Sequence, residues 1–316
     1  VRIKPGIVKE GVIQDKEALI KTIRFATDNV KGEKLNTKYT IVSLPEEKSF
    51  SQVIQMPKMT QEELEGAVRF EAENYIPLPI DKVYLDFQII EPQNKKNNLG
   101  HLDLLINAMP KSIIDSYVEC FKKAGLIPYI LEAESQAIVR ALFKNNESIL
   151  PVIIIDFGET KTSFIIFSGN SIRFTSSIPN SSQQLTNAIS ENLGISMQEA
   201  EELKVRQGLI KDKNQKYNIT QALNPVLNEL VLQIKKYINF YRGHASQEYF
   251  SSNGKIKKII LCGGGANLKG FEKFLTEELK IEVEVGNPLV NIVQQKGEHY
   301  AILKQRALSF TTALGS

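Results

Sequence analysis

Cysteine is scarce: Cys120 and Cys262 are the two in 316 residues, far apart and each in an apolar setting. That excludes the disulfide framework of small secreted domains and reads as two buried free thiols in a reducing cytosol. Histidine is nearly as rare. His101, His244 and His299 are scattered and join no Cys/His cluster, so the sequence presents no transition-metal ligand set. Apolar runs are short; the longest, such as residues 152–155, have strand length, where a membrane span needs about 20 residues. The opening Val1-Arg2-Ile3-Lys4-Pro5 has no apolar stretch behind its charges, so no secretory signal is expected there. Neither sign of charge is in excess. The 39 basic and 36 acidic residues give +3, too even for the clustered basic surface of a polyanion binder. With 42% hydrophobic and 24% charged residues, the composition is globular, and the length suggests two domains at roughly 150 residues each.

What is present is periodicity. Residues 6–12 read as extended, and Asp15 is placed to cap a helix over 16–30 whose Leu19, Ile20, Ile23 and Ala26 share one face. Strands come next at 39–44 and 50–54, bent apart by Pro45 and the charges after it. Thr60 with Glu63 three residues on is a capping-box signature. Leu64, Ala67, Val68 and Ala72 form the apolar stripe of that helix, and Pro77 and Pro79 stop it. Strands are predicted at 83–90 and 102–109 around a polar hairpin loop at 94–100, then a helix at 112–123 ended by Gly125 and a strand at 127–131. Residues 60–131 thus spell α, β, β, α, β, a compact unit of their own. A short helix over 134–143 leads to Asn145, Asn146 and Pro151, a lobe boundary.

Beyond it, strands at 152–155, 162–167 and 172–178 predict an antiparallel meander. Two helices come after it, one over 183–193 ending at Gly194, the next opened by Ser196 with Glu199 and running to Gly208. A long helix over 224–241 carries Leu227, Leu230, Ile234, Tyr237 and Tyr241 on one side. A strand at 257–261, a glycine turn, a helix at 268–279 and a strand at 283–285 make a β-Gly-α-β unit, and a last helix covers 301–312.

Four clusters could carry chemistry. The first is the turn Asp156-Phe157-Gly158-Glu159-Thr160-Lys161-Thr162. Gly158 lets backbone N–H groups approach anionic oxygens, Thr160 and Thr162 add hydroxyls, and Asp156 could order water around magnesium. An ordinary hairpin with Asp and Gly in turn positions is the plainer reading. The second is Cys262-Gly263-Gly264-Gly265-Ala266-Asn267-Leu268. Missing side chains would let a flat ring or a phosphate reach backbone beside a helix N-terminus. The stretch fits neither the dinucleotide fingerprint nor a P-loop, and otherwise reads as a tight strand-to-helix turn. The third is Glu201 with Lys204, three apart on one helical face: a clamp for ribose and an adenine edge, or a surface ion pair. The fourth is Glu132 with Glu134 where a strand enters a helix: carboxylates for water or metal, or an acidic helix start favoured by the dipole. Lys255, Lys257 and Lys258 read as a solvated strand edge.

The order of these signals says more than any one of them. A DxGxxxT hairpin, an AExLK helix and a GGGA turn before a helix match the second-lobe arrangement of the superfamily of actin, sugar kinases and chaperone ATPases. More closely, the chain resembles the PilM family, cytoplasmic actin-like proteins of type IV pilus assembly related to the cell-division protein FtsA. The resemblance is carried by Met56-Pro57-Lys58-Met59, Ala67-Val68-Arg69-Phe70-Glu71-Ala72-Glu73, Tyr75-Ile76-Pro77-Leu78-Pro79, Leu85-Asp86-Phe87-Gln88, Ser177-Ile178-Pro179 and Gly286-Asn287-Pro288. It runs through most of the chain, and the Tyr-Ile-Pro-x-Pro stretch with the αββαβ insertion sets PilM apart from FtsA and the sugar kinases.

The resemblance implies an α/β, actin-like (ribonuclease H-like) two-lobed ATPase fold with an inserted αββαβ subdomain. Residues 1–59, 132–148 and 299–316 would form the first lobe, 60–131 the insertion and 149–298 the second lobe. It implies ATP with Mg2+, the phosphates at Asp156, Gly158, Thr160 and Thr162, and the purine and ribose by Glu201, Lys204, Gly263, Gly264, Gly265 and Ala266. Glu134 would sit at the hinge between lobes. The implied partner is the cytoplasmic N-terminal tail of PilN, a bitopic inner-membrane protein, in a groove by Phe70, Tyr75, Ile76 and Asp86. A cytoplasmic location, peripheral to the inner membrane through that partner, is implied as well. The function implied is a nucleotide-responsive adaptor, at most a slow regulatory ATPase, in which nucleotide biases lobe closure and so the partner groove. Alternatives are a sugar- or acetate-kinase-like phosphotransferase and an FtsA-like filament former.

Family members open on a further Asp-x-Gly-x-x-x-x-Lys phosphate loop. Nothing before Val1 supplies it here, and residues 6–13 match the stretch after that loop. The expectation is therefore a trimmed chain lacking one phosphate jaw and a central strand pair, with weak or no nucleotide binding as given. Glu159 and Lys161 also stand where small loop residues are common.

Overall fold

Caps and alternation place most elements where the sequence puts them, in a computed structural model that describes residues 1–31, 34–90, 100–210, 217–244, 255–292 and 306–316. These divide into two compact units, the first taking in the described residues up to Ala137 and the second those from Ile138 to Gly315.

In the first unit, Val8–Lys9 (β1) and Val12–Ile13 (β2) form a small antiparallel hairpin rather than one extended run. Glu10 and Gly11 take φ of 48° and 72°, the left-handed pair that a two-residue hairpin turn requires. Lys16–Asp28 (α1) starts on Asp15, whose carboxylate accepts from the Ala18 N–H. Next come Tyr39–Leu44 (β3), Phe50–Pro57 (β4), Gln61–Ala72 (α2), Val83–Ile90 (β5), His101–Pro110 (β6), Lys111–Lys123 (α3), Ile127–Ala133 (β7) and Glu134–Leu142 (α4), within which the boundary between units falls. The capping box of α2 is complete: the Thr60 hydroxyl accepts from the Glu63 N–H, and the Glu63 carboxylate from the Thr60 N–H at 2.9 Å. The stripe Leu64, Val68 and Ala72 packs with Ile54, Leu104 and Ile106 of the β4–β6–β5 sheet.

The five elements expected to form one αββαβ unit are shared between two sheets. β4, which precedes α2, pairs antiparallel with β6 from Phe50↔Ala108 to Pro57↔His101. β7, which closes the run, pairs in parallel with β3 from Tyr39↔Ile127 to Leu44↔Ala133. The physical reason lies in β6: it is buried along most of its length and takes a partner on each edge, β4 and β5. The hairpin loop expected at 94–100 lies, up to residue 99, outside the described residues.

The second unit opens with the expected meander, Ser148–Phe157 (β8), Thr162–Gly169 (β9) and Ser171–Ile178 (β10), antiparallel throughout. Ser182–Leu193 (α5), Met197–Gln207 (α6), Thr220–His244 (α7), Lys258–Cys262 (β11), Phe271–Leu279 (α8), Glu282–Val285 (β12) and Thr311–Gly315 (α9) complete it. The sheet runs β10–β9–β8–β11–β12, with β8, β11 and β12 mutually parallel. All eight residues of β9 are buried, as befits a sheet covered on both faces.

α7 begins four residues before the expected start. The Asn218 side chain accepts from the Thr220 N–H, and Pro225 lies inside the helix. Its Leu227, Leu230 and Ile234 are fully buried, and Tyr237 packs on Phe164 at 4.8 Å while its hydroxyl meets Ser176 Oγ at 2.8 Å. β11 is an interior strand, so Lys258 is no solvated edge residue: its ammonium pairs with Glu284 of β12 at 2.7 Å. Of the last expected helix, residues 301–305 lie outside those described; Ala307–Phe310 form a 3-10 turn that leads into α9. Cys120 and Cys262 are free and buried, and burial pushes the Cys262 thiol well above its ordinary range.

Glu119 of α3 binds Lys123 at 2.8 Å and also Lys16 of α1, which holds its carboxyl down at about 2. A carboxylate depressed on folding adds stability at neutral pH that is lost as pH falls toward its folded value. Glu119→Gln is therefore expected to lower the urea midpoint at pH 7, measured by circular dichroism. The gap from the native chain should narrow as pH drops below about 4.5.

Candidate functional site

β8 and β11 run parallel with Cys262 opposite Asp156. The turn after β8 and the glycine turn after β11 therefore leave the sheet at one carboxyl edge, where open α/β sheets bind ligands. The two are in contact. Gly263 has φ 80° and ψ 164°, and a Cβ there would lie 2.3 Å from Asp156 Oδ1 and 2.7 Å from the Phe157 carbonyl oxygen. At Gly265 a Cβ would lie 2.5 Å from Phe157 Cδ1. These glycines are required by the approach of the end of β8. Gly264 is exposed and Ala266 buried within a single 3-10 turn, Gly264–Asn267. The helix expected to come directly after it is set back: Leu268, Lys269 and Gly270 intervene, because Gly270 turns left-handed at φ 80° and the Lys269 carbonyl accepts from the Leu209 N–H at 2.7 Å.

The turn after β8 is tightly closed. The Gly158 N–H donates to the Lys161 carbonyl at 2.9 Å, and a Cβ on Gly158 would lie 2.9 Å from that oxygen. Thr162 is fully buried and its hydroxyl donates to the Asn180 carbonyl at 2.6 Å. Two groups expected to meet phosphate are thus engaged within the protein, while Thr160 is exposed at the tip. The first turn of α5 clamps the loop from behind, with the Ser182 and Gln183 N–H groups donating to the Gly158 and Glu159 carbonyls, each at 3.0 Å.

Ser182 also reaches the third cluster. The Lys204 ammonium is 2.7 Å from Glu201 Oε2 and donates to Ser182 Oγ at 2.8 Å, the Ser182 carbonyl at 3.0 Å and Thr186 Oγ1 at 2.7 Å. Thr186 Oγ1 in turn donates to Glu201 at 2.5 Å. Lys204 is only 6% exposed while Glu201 is half exposed, so the lysine ties α5 to α6 from within and its carboxylate partner reaches the surface. Sequence reasoning passed over Gln207, one turn further, whose Oε1 is buried with no hydrogen-bond partner among the described residues. Its signal was there: Ala200, Leu203, Lys204 and Gln207 form the buried stripe of α6, and two of the four are polar.

In the first unit, Glu46 caps the start of α4, and Glu134 in return accepts at the start of the 3-10 turn Glu46–Lys48. Glu46, 3% exposed and unremarked in the sequence, accepts from the Ser135 N–H at 3.0 Å, and Glu134 accepts from the Glu46 N–H at 3.3 Å. Of the residues expected at a partner groove, Phe70 and Tyr75 are exposed, at 75% and 48%, and Ile76 is buried in the α2–sheet core. Asp86 lies exposed on β5, its carboxylate accepting from the Phe87 N–H. A groove of about 460 Å³ opens where α2 gives way to the Pro77-Leu78-Pro79 segment, lined also by Glu73, Ile76 and Asp81. Among the described residues no helix is long and apolar enough to cross a membrane.

Lys204→Met is expected to cost about 2 kcal/mol in urea unfolding, because it leaves the Glu201 carboxylate and the Ser182 and Thr186 oxygens without their shared cation. Glu201→Gln should cost less, since Lys204 keeps three other acceptors.

The chain matches the family described as "Type IV pilus assembly protein PilM" over residues 1–316. The cell division protein FtsA of Escherichia coli (strain K12) is 22% identical over 331 residues, spanning 89% of this chain and 75% of FtsA. A solved structure described as a PilM-PilN type IV pilus biogenesis complex aligns with a TM-score of 0.82 at 26% identity, over 99% of this chain and 87% of that one. MreB5 of Spiroplasma citri, solved bound to ADP, aligns with a TM-score of 0.56 at 14% identity, over 98% of this chain and 76% of MreB5, a likeness of fold. The architecture is the actin-like ATPase fold, and by its full-length match the chain belongs to the PilM family of type IV pilus assembly proteins.

Proposed function

We propose that this chain is an adaptor of the inner-membrane pilus assembly complex, whose first unit binds the cytoplasmic N-terminal tail of a PilN-like membrane protein and whose second unit holds ATP. The observation that carries the partner reading is the groove over residues 73–81. Two prolines stiffen its wall, so little chain entropy is lost on binding. Tyr75 lies on the segment that forms it and Phe70 in the last turn of α2, both exposed aromatics of the kind that anchor interfaces. Asp86 offers a carboxylate to a basic residue of the tail. The similarity to a protein solved as a PilM-PilN complex supports the same reading. Attachment through this tail would hold the chain on the cytoplasmic side of the inner membrane.

For ATP, the close contact of Asp156 and Phe157 with Gly263 holds the turns after β8 and β11 together at one carboxyl edge of the sheet, and that placement supports a phosphate site there. Thr160 and the backbone of its turn would face the phosphates, Asp156 would hold Mg2+ through water, and Gly263, Gly264, Gly265 and Ala266 would lie along the nucleoside. Bound ATP would supply a polyanion spanning the two turns and, at most, slow hydrolysis. In this reading Gly158 and Thr162 shape the turn, and Glu201 and Lys204 position Ser182 behind it. Because the Gly158 N–H and the Thr162 hydroxyl are already engaged, affinity for this chain is weak. Calorimetry with Mg-ATP is expected to give a dissociation constant of about 1 mM. Micromolar binding would contradict this.

The partner reading is tested by fluorescence anisotropy of a labelled synthetic peptide with the N-terminal sequence of the PilN-like protein. Saturable binding is expected, weakened about tenfold or more by Tyr75→Ala and by Phe70→Ala. Equal binding of a scrambled peptide, or indifference to both substitutions, would sink the proposal.

A further inference from the structure

The near-even charge balance of the whole chain conceals a local excess. Residues 24–38 and 119–131 hold six basic and three acidic residues, a surplus equal to the +3 of all 316. The fold brings these two stretches to one end of the first unit. The Arg24 guanidinium, in the second half of α1, donates to the carbonyl of Lys123, the last residue of α3. The Ile127 N–H at the start of β7 donates at 2.7 Å to the carbonyl of Lys38, just ahead of β3. Beside that bond the rings of Tyr39 and Tyr129 meet edge to face at 5.6 Å. Two helices thus finish and two parallel strands begin at the same pole.

Apolar side chains stand out among the charges there. Phe25, Leu35, Tyr39 and Tyr129 are each more than half exposed. None of them helps to bury Leu19 and Ile20 on the inner face of α1, or Val42 and Leu44 on that of β3. Lys31, Lys34 and Lys38 alternate with Val30, Leu35 and Tyr39 along the chain, all exposed, and Lys122 is exposed at the end of α3. A basic patch alone would suit any polyanion, and an apolar patch alone any protein. Their interleaving suits a surface that is anionic in its outer layer and apolar just beneath, which is a bilayer with acidic headgroups. Tyrosine, with an apolar ring and a polar tip, is a residue type that settles at such a boundary.

We propose that this pole of the first unit docks directly on an anionic lipid bilayer, its lysines on the headgroups and Phe25, Leu35 and the two tyrosines entering the boundary beneath. The contact lies apart from the groove over residues 73–81 in the sequence and requires neither ATP nor the PilN-like tail.

The test is cosedimentation of the full chain with vesicles, either of phosphatidylcholine alone or with phosphatidylglycerol as roughly one lipid in three. Binding to the phosphatidylglycerol vesicles is expected, with little to phosphatidylcholine alone. Raising NaCl from about 0.05 M to about 0.5 M should weaken it about tenfold or more. Lys31→Glu/Lys34→Glu/Lys38→Glu should abolish binding, and Phe25→Ser/Leu35→Ser should weaken it about fivefold or more. All five positions are exposed, so both variants should keep the native melting curve by circular dichroism. Three results would overturn the proposal: no sedimentation with the phosphatidylglycerol vesicles, equal sedimentation with both kinds, or full binding by the Phe25→Ser/Leu35→Ser variant. The last would assign the pole to a soluble polyanion or an acidic protein, which needs the lysines but no apolar layer.

Discussion

The pairing of β8 with β11 is the constraint on which the second unit depends. Parallel register with Cys262 opposite Asp156 delivers two turns to one edge and presses them together until there is no space for a side chain at Gly263. Everything near the turns answers to that contact. α8 is set back behind Leu268, Lys269 and Gly270, and Ser182 braces the turn after β8 while receiving the Lys204 ammonium. One serine thus joins the backbone of a candidate phosphate turn to the buried Lys204 ammonium on the next helix. Rigid support of this kind is what a binding turn requires, because a loop held only by its own backbone would sample many shapes.

The first unit solves a different problem. Its antiparallel sheet is closed on one face by α2, and the chain leaving α2 is stiffened by Pro77 and Pro79 beside a groove. Apolar groups there divide cleanly: Ile76 is spent on the core, while Phe70 and Tyr75 are left to solvent. Exposed aromatics of this size are the side chains that most often anchor interfaces.

What was legible in the sequence was local. Asp15, the Thr60–Glu63 and Ser196–Glu199 boxes and the C-cap at Gly194 were readable because a cap involves residues three or four apart. The meander was readable because its strands are joined by short turns. Pairing between distant strands was not. Nothing in residues 127–131 says that they lie beside residues 39–44 and not beside the hairpin just completed, so an αββαβ unit was read where two sheets share the elements. Lys204 shows the same limit at a single residue. Spacing placed it on the face of Glu201, but burial came from Ser182 and Thr186 on another helix. Asn180 and Glu46, polar groups buried by distant parts of the chain, were invisible for that reason.

The most direct test of the β8–β11 contact is a double-mutant cycle in urea between Asp156→Ala and Gly263→Ala. If the Asp156 carboxylate fills the space a Cβ at Gly263 would occupy, removing it should relieve part of the damage. The double variant should then be more stable than the sum of the singles predicts, by about 1 kcal/mol. Strict additivity would mean that the Asp156 carboxylate does not press on Gly263, and the reading built on that contact would fall with it.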